Sequence, residues 1–289
     1  MYLKWVGGKT QLAGQILSLF PKEGDGAYIE PFFGSGAMYF AFRKSIRESD
    51  IFNSSRFVPS HYIFGDTNPL LINCHLAVKS SPKELEELLI GKEKEHEYSP
   101  TEFYNSQKKL VTQVPDLSNG CDLEAAARFI YINKSCFNGI WRVNRSGLFN
   151  VPWNQKETIN LVNKKLHYAH KLLQGCEINL CSYKDRCSKA VKGDFVYLDP
   201  PYVPLSESSS FTAYTEDGFS LEDLSELRQI CDDMDKKGIK WMMSNSTAKI
   251  VYDEFSAYNI HEVYAHRFVK ALKENEKREK IKETVVTNY

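Results

Sequence analysis

The chain has 289 residues, of which 42% are hydrophobic and 26% are charged, and its formal net charge is zero. This length suits one large domain or one domain with a sizeable insertion, and the composition is that of a soluble globular protein. No apolar run approaches the roughly 20 residues of a membrane-spanning helix, and the N-terminus lacks the apolar core of a signal peptide.

The seven cysteines are scattered along the chain and form no Cys-x-x-Cys pair. This pattern does not match the common zinc spacings, so no metal site is expected. We expect reduced thiols that serve mainly as packing residues in a cytoplasmic protein.

The first predicted helix runs from Gln11 to Phe20, with apolar residues at helical spacing and a proline directly after it. The preceding Gly7-Gly8-Lys9-Thr10 is similar to the end of a phosphate-binding loop. However, Leu3 stands where that loop needs its first glycine, and no strand precedes it. A nucleotide triphosphatase is therefore disfavoured.

A strand, a glycine turn and a helix follow in that order. Ala27–Ile29 is a predicted strand, Glu30–Gly36 supplies the glycine turn, and an apolar helix begins at Ala37. Glycines permit a tight turn and the close approach of a ligand to the backbone. Tyr39 occupies the third glycine position of the dinucleotide fingerprint, which disfavours a nicotinamide-dependent oxidoreductase.

The next predicted strand, His61–Asp66, ends in a carboxylate and leads into a helix from Leu70 to Val78. An acidic residue that ends the strand after a glycine loop commonly binds ribose hydroxyls, which is one interpretation of Asp66. The other interpretation is a helix cap, a role that Thr67 or Asn68 could fill instead.

Helix then follows helix in the middle of the chain. Pro82–Leu110 is charged and helical, and Ala125–Asn133 is a more apolar helix. This interrupts the alternation of strands and helices on either side. We therefore predict an α/β sheet domain formed by residues 1–73 and 172–289, with residues 74–171 as an inserted helical subdomain.

A β-hairpin is predicted at residues 137–153, around the turn Asn144–Gly147. It mixes aromatic residues with arginines and asparagines, and the window from Ala125 to Trp153 contains no Asp or Glu. A two-stranded ribbon fits the major groove of B-DNA, where Arg and Asn commonly read bases. The alternative is a surface hairpin whose aromatic side chains pack on the helices.

The buried strand Phe195–Leu198 must end at Asp199, because Pro200 and Pro201 cannot donate to a sheet. Asp199 therefore lies at the carboxyl end of a strand, where open α/β sheets bind their ligands. The alternative is a proline turn with a capping Asp. The other predicted elements are strands at Glu177–Cys181, Lys240–Ser246, Ile260–Tyr264 and Thr284–Thr287, a helix at Ser220–Asp235 and a long polar loop at Pro204–Asp217.

Together these stretches resemble the DNA adenine-N6 methyltransferases of the Dam and DpnII-methylase type, the alpha group of the D12 class. The resemblance covers nearly the whole chain, and the combination of motifs is specific although no single motif is. The motifs are Lys4–Lys9 (Lys-Trp-x-Gly-Gly-Lys), Glu30–Gly36 (Glu-Pro-Phe-x-Gly-Ser-Gly), Asp66–Asn68, the hairpin Asn138–Pro152, Asp199–Ser206 (Asp-Pro-Pro-Tyr-x-Pro-Leu-Ser), Phe211–Tyr214 and Ser244–Asn245.

The resemblance implies a Rossmann-like class I methyltransferase sheet and S-adenosylmethionine as the cofactor. It also implies that residues 1–73 and 172–289 form the cofactor-binding catalytic domain and that residues 74–171 form the helical domain that recognises the DNA target. Carried over by position, the catalytic motif is Asp199, Pro200, Pro201 and Tyr202. The implied cofactor-binding residues are Trp5, Lys9, Phe33, Gly34, Ser35, Gly36, Asp66, Tyr183 and Asp199. The implied DNA-binding residues are Lys4, Phe137, Asn138, Ile140, Arg142, Asn144 and Pro152.

The implied reaction is methyl transfer to N6 of adenine in double-stranded DNA after base flipping, within GATC or a related site. An Asp at position 199 favours adenine, since a Ser there would suggest cytosine N4 and an Asn would suggest protein glutamine. The competing hypothesis is a DNA-binding regulator that kept the fold and lost catalysis. We expect a monomer or weak dimer with no membrane partner, and a cognate restriction enzyme would act separately.

Two segments depart from the family pattern. Trp153–Lys156 stands where Phe-Gly-Arg-Tyr is usual, which leaves the outer base contacts open. Lys270–Lys280 is a charged run in place of a loop rich in Ser, Gly and Asn.

Overall fold

The computed structural model describes residues 2–5, 7–48, 57–203, 219–266 and 280–289. The predicted polar loop, the motif Phe211–Tyr214 and nearly all of the charged run at 270–280 lie outside these residues. The chain divides into a first unit and a second unit, each compact. The first unit consists of Met1–Gly8, Gly34–Phe40 and Asp66–Leu180, and the second of Lys9–Phe33, Ala41–Gly65 and Cys181–Tyr289.

This division rests on contacts within the chain. The assignment of residues 1–73 and 172–289 to cofactor binding, and of residues 74–171 to target recognition, stays a prediction.

The strands in chain order are β1 Tyr28–Glu30, β2 Tyr62–Asp66, β3 Glu177–Leu180, β4 Phe195–Leu198, β5 Lys240–Asn245, β6 Asn259–His266 and β7 Lys280–Thr287. β3 belongs to the first unit. In the second unit the strands follow the order β2-β1-β4-β5-β7-β6. The pairs β1–β2, β1–β4 and β4–β5 are parallel, whereas β7 runs antiparallel to both β5 and β6. A mostly parallel α/β sheet of the Rossmann-like methyltransferase kind is thereby confirmed.

The strand order reverses between β1 and β4. The chain leaves β1 for β2 on one side, and it later enters β4 on the other side, where Ile29 pairs with Val196. Ligands of open α/β sheets bind outside the carboxyl ends of the strands at such a reversal. Glu30 ends β1 and Asp199 follows β4, so the sheet directs Asp199 to the edge where a ligand is expected.

Both faces of β4 are covered. Phe195 and Tyr197 face one side, where their ring centroids lie 4.8 and 6.2 Å from that of Phe20. Val196 and Leu198 face the other side, in a cluster of buried apolar residues. All four strand residues are at most 1% exposed, which explains why this strand has a continuous apolar run rather than an alternating one.

The helices in chain order are α1 Ala13–Ser18, α2 Ala37–Glu48, α3 Pro69–Ser80, α4 Pro82–Tyr98, α5 Pro100–Leu110, α6 Leu123–Ser135, α7 Lys164–Leu173, α8 Tyr183–Ser188, α9 Leu221–Lys236 and α10 Lys249–Glu254, with a 3₁₀ turn at Phe137–Gly139. The charged stretch 82–110 forms two helices because Pro100 follows Ser99. A residue before proline is pushed out of the helical region, and Ser99 has φ −150° and ψ 71°. Among the described helices, none has the length and apolarity to cross a membrane.

Candidate functional site

The turn after β4 is fixed by residues at the end of β5. The Val203 N–H donates to Oδ1 of Asn245 at 3.2 Å, and Oγ of Ser246 donates to the Val203 carbonyl. Neither Pro200 nor Pro201 has an N–H that could tie the turn down, so these two bonds fix its exit. The sequence analysis assigned no role to Asn245 within its motif. The structure shows that its side chain fixes the end of this turn.

Asp199 forms an ion pair with a buried lysine. Nζ of Lys9 lies 2.8 Å from Oδ1 of Asp199, and the two side chains are 2% and 22% exposed. A carboxylate offers about four acceptor positions, so Asp199 keeps capacity to accept further donors.

The charges around Asp199 shift its pKa in opposite directions. Burial raises the pKa of the Asp199 carboxyl, and the nearby Glu283 carboxylate raises it further, whereas the Lys9 ammonium lowers it. Burial is the largest of these effects, so the pKa stays above the ordinary value. The result is a carboxylate that is more basic than an exposed one.

Tyr202 is held at one face of its ring and at its hydroxyl group. Nζ of Lys9 lies 4.6 Å from the ring centroid, which is within cation–π distance. Oη of Tyr202 donates to Oε2 of Glu283 at 2.5 Å. Lys9, Asp199, Tyr202 and Glu283 therefore form one connected cluster in the second unit.

The glycine turn is held by the carboxylate that ends β2. The Gly34 N–H donates to Oδ2 of Asp66 at 2.8 Å, and the Asn68 N–H donates to Oδ1 at 2.8 Å. Gly34 and Gly36 have φ values of +50° and +72°, in the left-handed region that favours glycine. Asn68, not Asp66, caps α3 by accepting from Leu70 and Leu71. The cap that the sequence left open is therefore supplied by Asn68.

A buried histidine that the sequence reasoning missed holds the carbonyl group of Gly34. Nε2 of His75 lies 2.8 Å from the Gly34 carbonyl, and Nδ1 lies 2.7 Å from Oη of Tyr2. A carbonyl only accepts, so Nε2 carries the proton and Tyr2 donates to Nδ1. Burial lowers the pKa of His75 to about 4. The ring is therefore neutral at pH 7, as this arrangement requires.

The free energy of unfolding should therefore fall as the pH drops from 6.5 towards 4. Between these values the unfolded chain binds a proton at His75 and the folded chain does not. The contribution of His75 to the free energy of unfolding is therefore fully present above pH 6.5 and is lost as the pH falls towards 4. The loss attributable to His75 is on the order of 3 kcal/mol.

Urea unfolding of the wild type and of His75→Gln across this pH range measures that loss. The variant should be less sensitive to pH, while His61→Gln, which alters an exposed histidine, should behave as the wild type. Equal pH dependence in the wild type and His75→Gln would contradict the assignment.

Two of the predicted cofactor residues belong to the packed core of the second unit. The Phe33 ring stacks on Phe64 at 4.0 Å between centroids, and the Phe33 N–H donates to the Gly65 carbonyl. The Tyr183 ring stacks on Phe32 at 5.0 Å. Oη of Tyr183 is buried and has no hydrogen-bond partner among the described residues.

In the first unit the predicted residues Lys4 and Trp5 are held against α6. The Lys4 N–H and carbonyl both bond the side-chain amide of Asn133, at 2.9 and 2.7 Å. Trp5 packs near Phe129 and Trp141, with centroids 6.1 and 6.0 Å away. A Cβ added at Gly34 would lie 3.4 Å from the Trp5 ring, so this ring borders the glycine turn.

The hairpin is less regular than a two-stranded ribbon. It contains two isolated bridges, Cys136 to Trp153 and Val143 to Phe149. At its tip, Oδ1 of Asn144 accepts from the N–H groups of Ser146 and Leu148, each at 3.0 Å. The side chain of Asn144 therefore stabilises the turn, which supplements its predicted contact with DNA.

The hairpin presents its predicted DNA-binding residues to solvent while its other aromatic residues pack inwards. Trp141 packs on Phe129 and Phe149, with centroids 4.8 and 5.0 Å away. The aromatic packing of the second interpretation is therefore present, while base reading by the exposed residues stays a prediction. The exposed positions are Lys4, Phe137, Asn138, Ile140, Arg142, Asn144 and Pro152.

Residues 5–269 match the family of D12 class N6 adenine-specific DNA methyltransferases. The type II methyltransferase M1.LlaDCHI of Lactococcus lactis subsp. cremoris is 35% identical, over 100% of this chain and 95% of the relative. The type II methyltransferase M.MjaIII of Methanocaldococcus jannaschii is 33% identical, over 100% and 98%. The DNA adenine methylase of Salmonella typhi is 28% identical, over 93% and 89%.

These alignments extend over both compact units and over the motifs that carried the resemblance. The prediction of an adenine-specific DNA methyltransferase is thereby confirmed at the level of the family. Because the match spans most of its length, this chain belongs to the D12 class of N6 adenine-specific DNA methyltransferases.

Proposed function

We propose that this DNA methyltransferase takes its methyl group from S-adenosylmethionine and transfers it to an adenine rotated out of duplex DNA, within GATC or a related site. The observation that carries this proposal is the cluster at the end of β4. There a carboxylate of raised pKa, Asp199, lies beside the ring of Tyr202 and the ammonium of Lys9. This turn contains a carboxylate and a carbonyl that can accept hydrogen bonds from an amino group. It also contains an aromatic ring on which a planar base can stack.

The residues assigned to the cofactor fit its polar groups. When bound, S-adenosylmethionine supplies an electrophilic methyl group on a sulfonium sulfur. The N–H groups of Gly34 and Asn68 each bond one carboxylate oxygen of Asp66, and a carboxylate with about four acceptor positions can still accept from a ribose hydroxyl. The unpartnered Oη of Tyr183 offers a buried polar atom to a ligand.

The other assigned cofactor residues would act through the glycine turn and its neighbours. Gly34, Ser35 and Gly36 would bring backbone close to the ligand, and the Trp5 ring borders the turn. Phe33 packs on Phe64, so we assign its contribution to holding the turn. Lys9 and Asp199 would contact the cofactor from the end of β4.

The proposed chemistry aligns the adenine amino group for attack on the methyl carbon. Asp199 accepts one N6–H and the Pro200 carbonyl accepts the other, which directs the nitrogen lone pair towards the methyl group. The methyl group that S-adenosylmethionine would supply would leave its sulfur as it bonds to N6, and Asp199 could accept the proton that N6 then loses. The raised pKa of Asp199 favours this step.

Rotation of the base out of the duplex costs a few kcal/mol, because stacking and pairing are lost. Stacking on an aromatic ring returns about 1–3 kcal/mol, a role we assign to Tyr202. The exposed residues of the hairpin, with Arg142 foremost, would read the target sequence in the major groove. Pro201, also exposed, would shape the turn beside the rotated base.

The proposed setting is the cytoplasm, where the free cysteines would stay reduced. We propose a monomer or weak dimer. Two relatives are named type II methyltransferases, which supports a role beside a separately acting restriction enzyme.

Expression in a host without DNA methylation, followed by mapping of N6-methyladenine, tests the proposal. We expect modification at one short recurring site that contains GATC or differs from it by few bases. DNA that stays unmodified, while the purified chain still binds duplex, would favour the silent regulator. Methylation of duplex DNA by the purified chain, with S-adenosylmethionine as the sole methyl donor, would identify that donor.

A further inference from the structure

The antiparallel strand β7 brings a carboxylate to the edge of the sheet where the parallel strands end. Asn245, the last residue of β5, pairs with Thr284, and Glu283 pairs with Val263 of β6. Because β7 runs opposite to β5, the residue before Thr284 lies beyond the carboxyl end of β5. Glu283 therefore reaches the same edge as Asp199.

The contact between Glu283 and Tyr202 is short and charge-assisted. Oη of Tyr202 donates to Oε2 of Glu283 at 2.5 Å. Hydrogen bonds from a hydroxyl to a carboxylate are shorter and stronger than neutral ones. Burial, with the Asp199 and Glu283 charges, raises the pKa of Tyr202 well above its ordinary value, so the phenol remains a donor.

Among the described residues, the hydroxyl end of the Tyr202 ring is fixed by this bond. The backbone after Tyr202 is fixed at Val203 by Asn245 and Ser246. The Lys9 ammonium lies 4.6 Å from the ring centroid, so it contacts one face of the ring and not its far end. The bond from Oη to Glu283 fixes the far end of the ring and hence its plane.

We propose that Glu283 is a positioning residue for methyl transfer, and that it acts through Tyr202 by holding the ring in the plane on which the rotated adenine stacks. This rests on the proposed function, in which Tyr202 stacks on the base. Stacking is sensitive to the offset and tilt of the two rings, so a freely tilting ring would hold the base less well. The loss should fall on kcat more than on KM for duplex, because the base reaches the ring only after rotation.

Charge offers a different route by which Glu283 could act. The carboxylate raises the pKa of Asp199, so its removal would alter the base directly. Glu283→Gln separates the two routes, because the amide oxygen still accepts from the phenol while the charge is gone. Tyr202→Phe removes the phenol and leaves the charge in place.

A double-mutant cycle tests the proposal. Labelled methyl transfer from S-adenosylmethionine to duplex DNA would be measured for the wild type, Glu283→Ala, Tyr202→Phe and the double variant. We expect each single change to lower kcat by about tenfold, as for one hydrogen bond to a charged group, and the double variant to be no worse than either. Glu283→Gln should stay within about threefold of the wild type.

The neighbouring strand offers a matched control. In β6 the exposed carboxylate of Glu262 accepts from Oη of Tyr264 at 2.9 Å. Glu262 pairs with Thr284, so this pair of the same kind lies on the opposite face of the sheet from Glu283. Glu262→Ala should leave kcat unchanged. Urea unfolding of every variant shows whether each is folded under the assay conditions. The cycle then compares the effect of Glu283→Ala on kcat in the wild-type and in the Tyr202→Phe background.

The outcomes separate the two proposals. A wild-type chain that transfers no methyl from S-adenosylmethionine would overturn the proposed function and this inference with it. If the wild type is active and Glu283→Ala lowers kcat as much in the Tyr202→Phe background as in the wild type, Glu283 does not act through Tyr202. That result would overturn this inference and leave the proposed function standing. So would a Glu283→Gln variant as impaired as Glu283→Ala, since that result assigns the effect to charge.

Discussion

Asp199→Ala is expected to lower kcat for methyl transfer by at least about 10³-fold, while affinity for duplex DNA stays within about threefold. The lost carboxylate is the acceptor that aligns the amino group, and it lies at the end of β4 rather than among the exposed residues of the hairpin. Single-turnover methyl transfer measures the first effect, and equilibrium binding to the same duplex measures the second. A variant with near-normal kcat would assign the chemistry to another group.

The substitution also removes an anionic partner from Lys9, whose side chain is 2% exposed. Disturbing a buried ion pair can destabilise a protein by about 3–5 kcal/mol, so inactivity alone would be ambiguous. Asp199→Asn is the matched variant, because it keeps the volume and one acceptor oxygen but not the charge. We expect Asp199→Asn to fold with a urea midpoint near that of the wild type and still to lose about 10²-fold or more in kcat.

The location of Asp199 was predictable because its determinants are local. A run of apolar residues forms a buried strand, and two prolines end it, so the position of the carboxylate follows from adjacent residues. The glycine turn after β1 was predictable for the same reason. In both cases one short stretch of sequence contains the strand, its terminator and the functional residue.

Glu283 and His75 were not predictable, because their partners lie far away in sequence. Oη of Tyr202 is 81 positions from Glu283, and the Gly34 carbonyl is 41 positions from His75. The apolar pattern of β7 predicts a strand but not its direction, and only an antiparallel β7 brings Glu283 to the site. A charged residue in a strand and a histidine in an apolar helix carry no local sign of these roles.

The hairpin lies between these cases. Its turn follows from Asn144 and Gly147, and the structure has that turn. The regular pairing that the sequence predicted is reduced to two bridges, since Asn138 adopts φ +56° within a 3₁₀ turn and the Trp141 ring packs on α6. Packing of aromatic side chains on a helix competes with strand pairing, and the sequence alone does not show which prevails.

Arg142→Ala is expected to reduce discrimination at one base pair of the target by about 10- to 100-fold, because a bidentate base contact is worth about 1–3 kcal/mol. Nε of Arg142 donates to Oδ1 of Asn150 at 2.7 Å, which orients the guanidinium on the exposed face of the hairpin. With Nε engaged, the two terminal amino groups are left to bond a guanine edge. The ratio of kcat/KM on the mapped site to kcat/KM on singly substituted duplexes measures the discrimination.

Arg145→Ala is the matched control for charge. Arg145 lies in the exposed turn of the same hairpin, so its removal takes away one positive charge without the contact that Asn150 orients. We expect Arg145→Ala to weaken binding to all sequences about equally and to reduce the salt dependence, as the loss of a phosphate contact does. If Arg142→Ala behaved in the same way, with equal losses on the target and on random DNA, Arg142 would contact the backbone, and base readout would belong to other exposed residues of the hairpin.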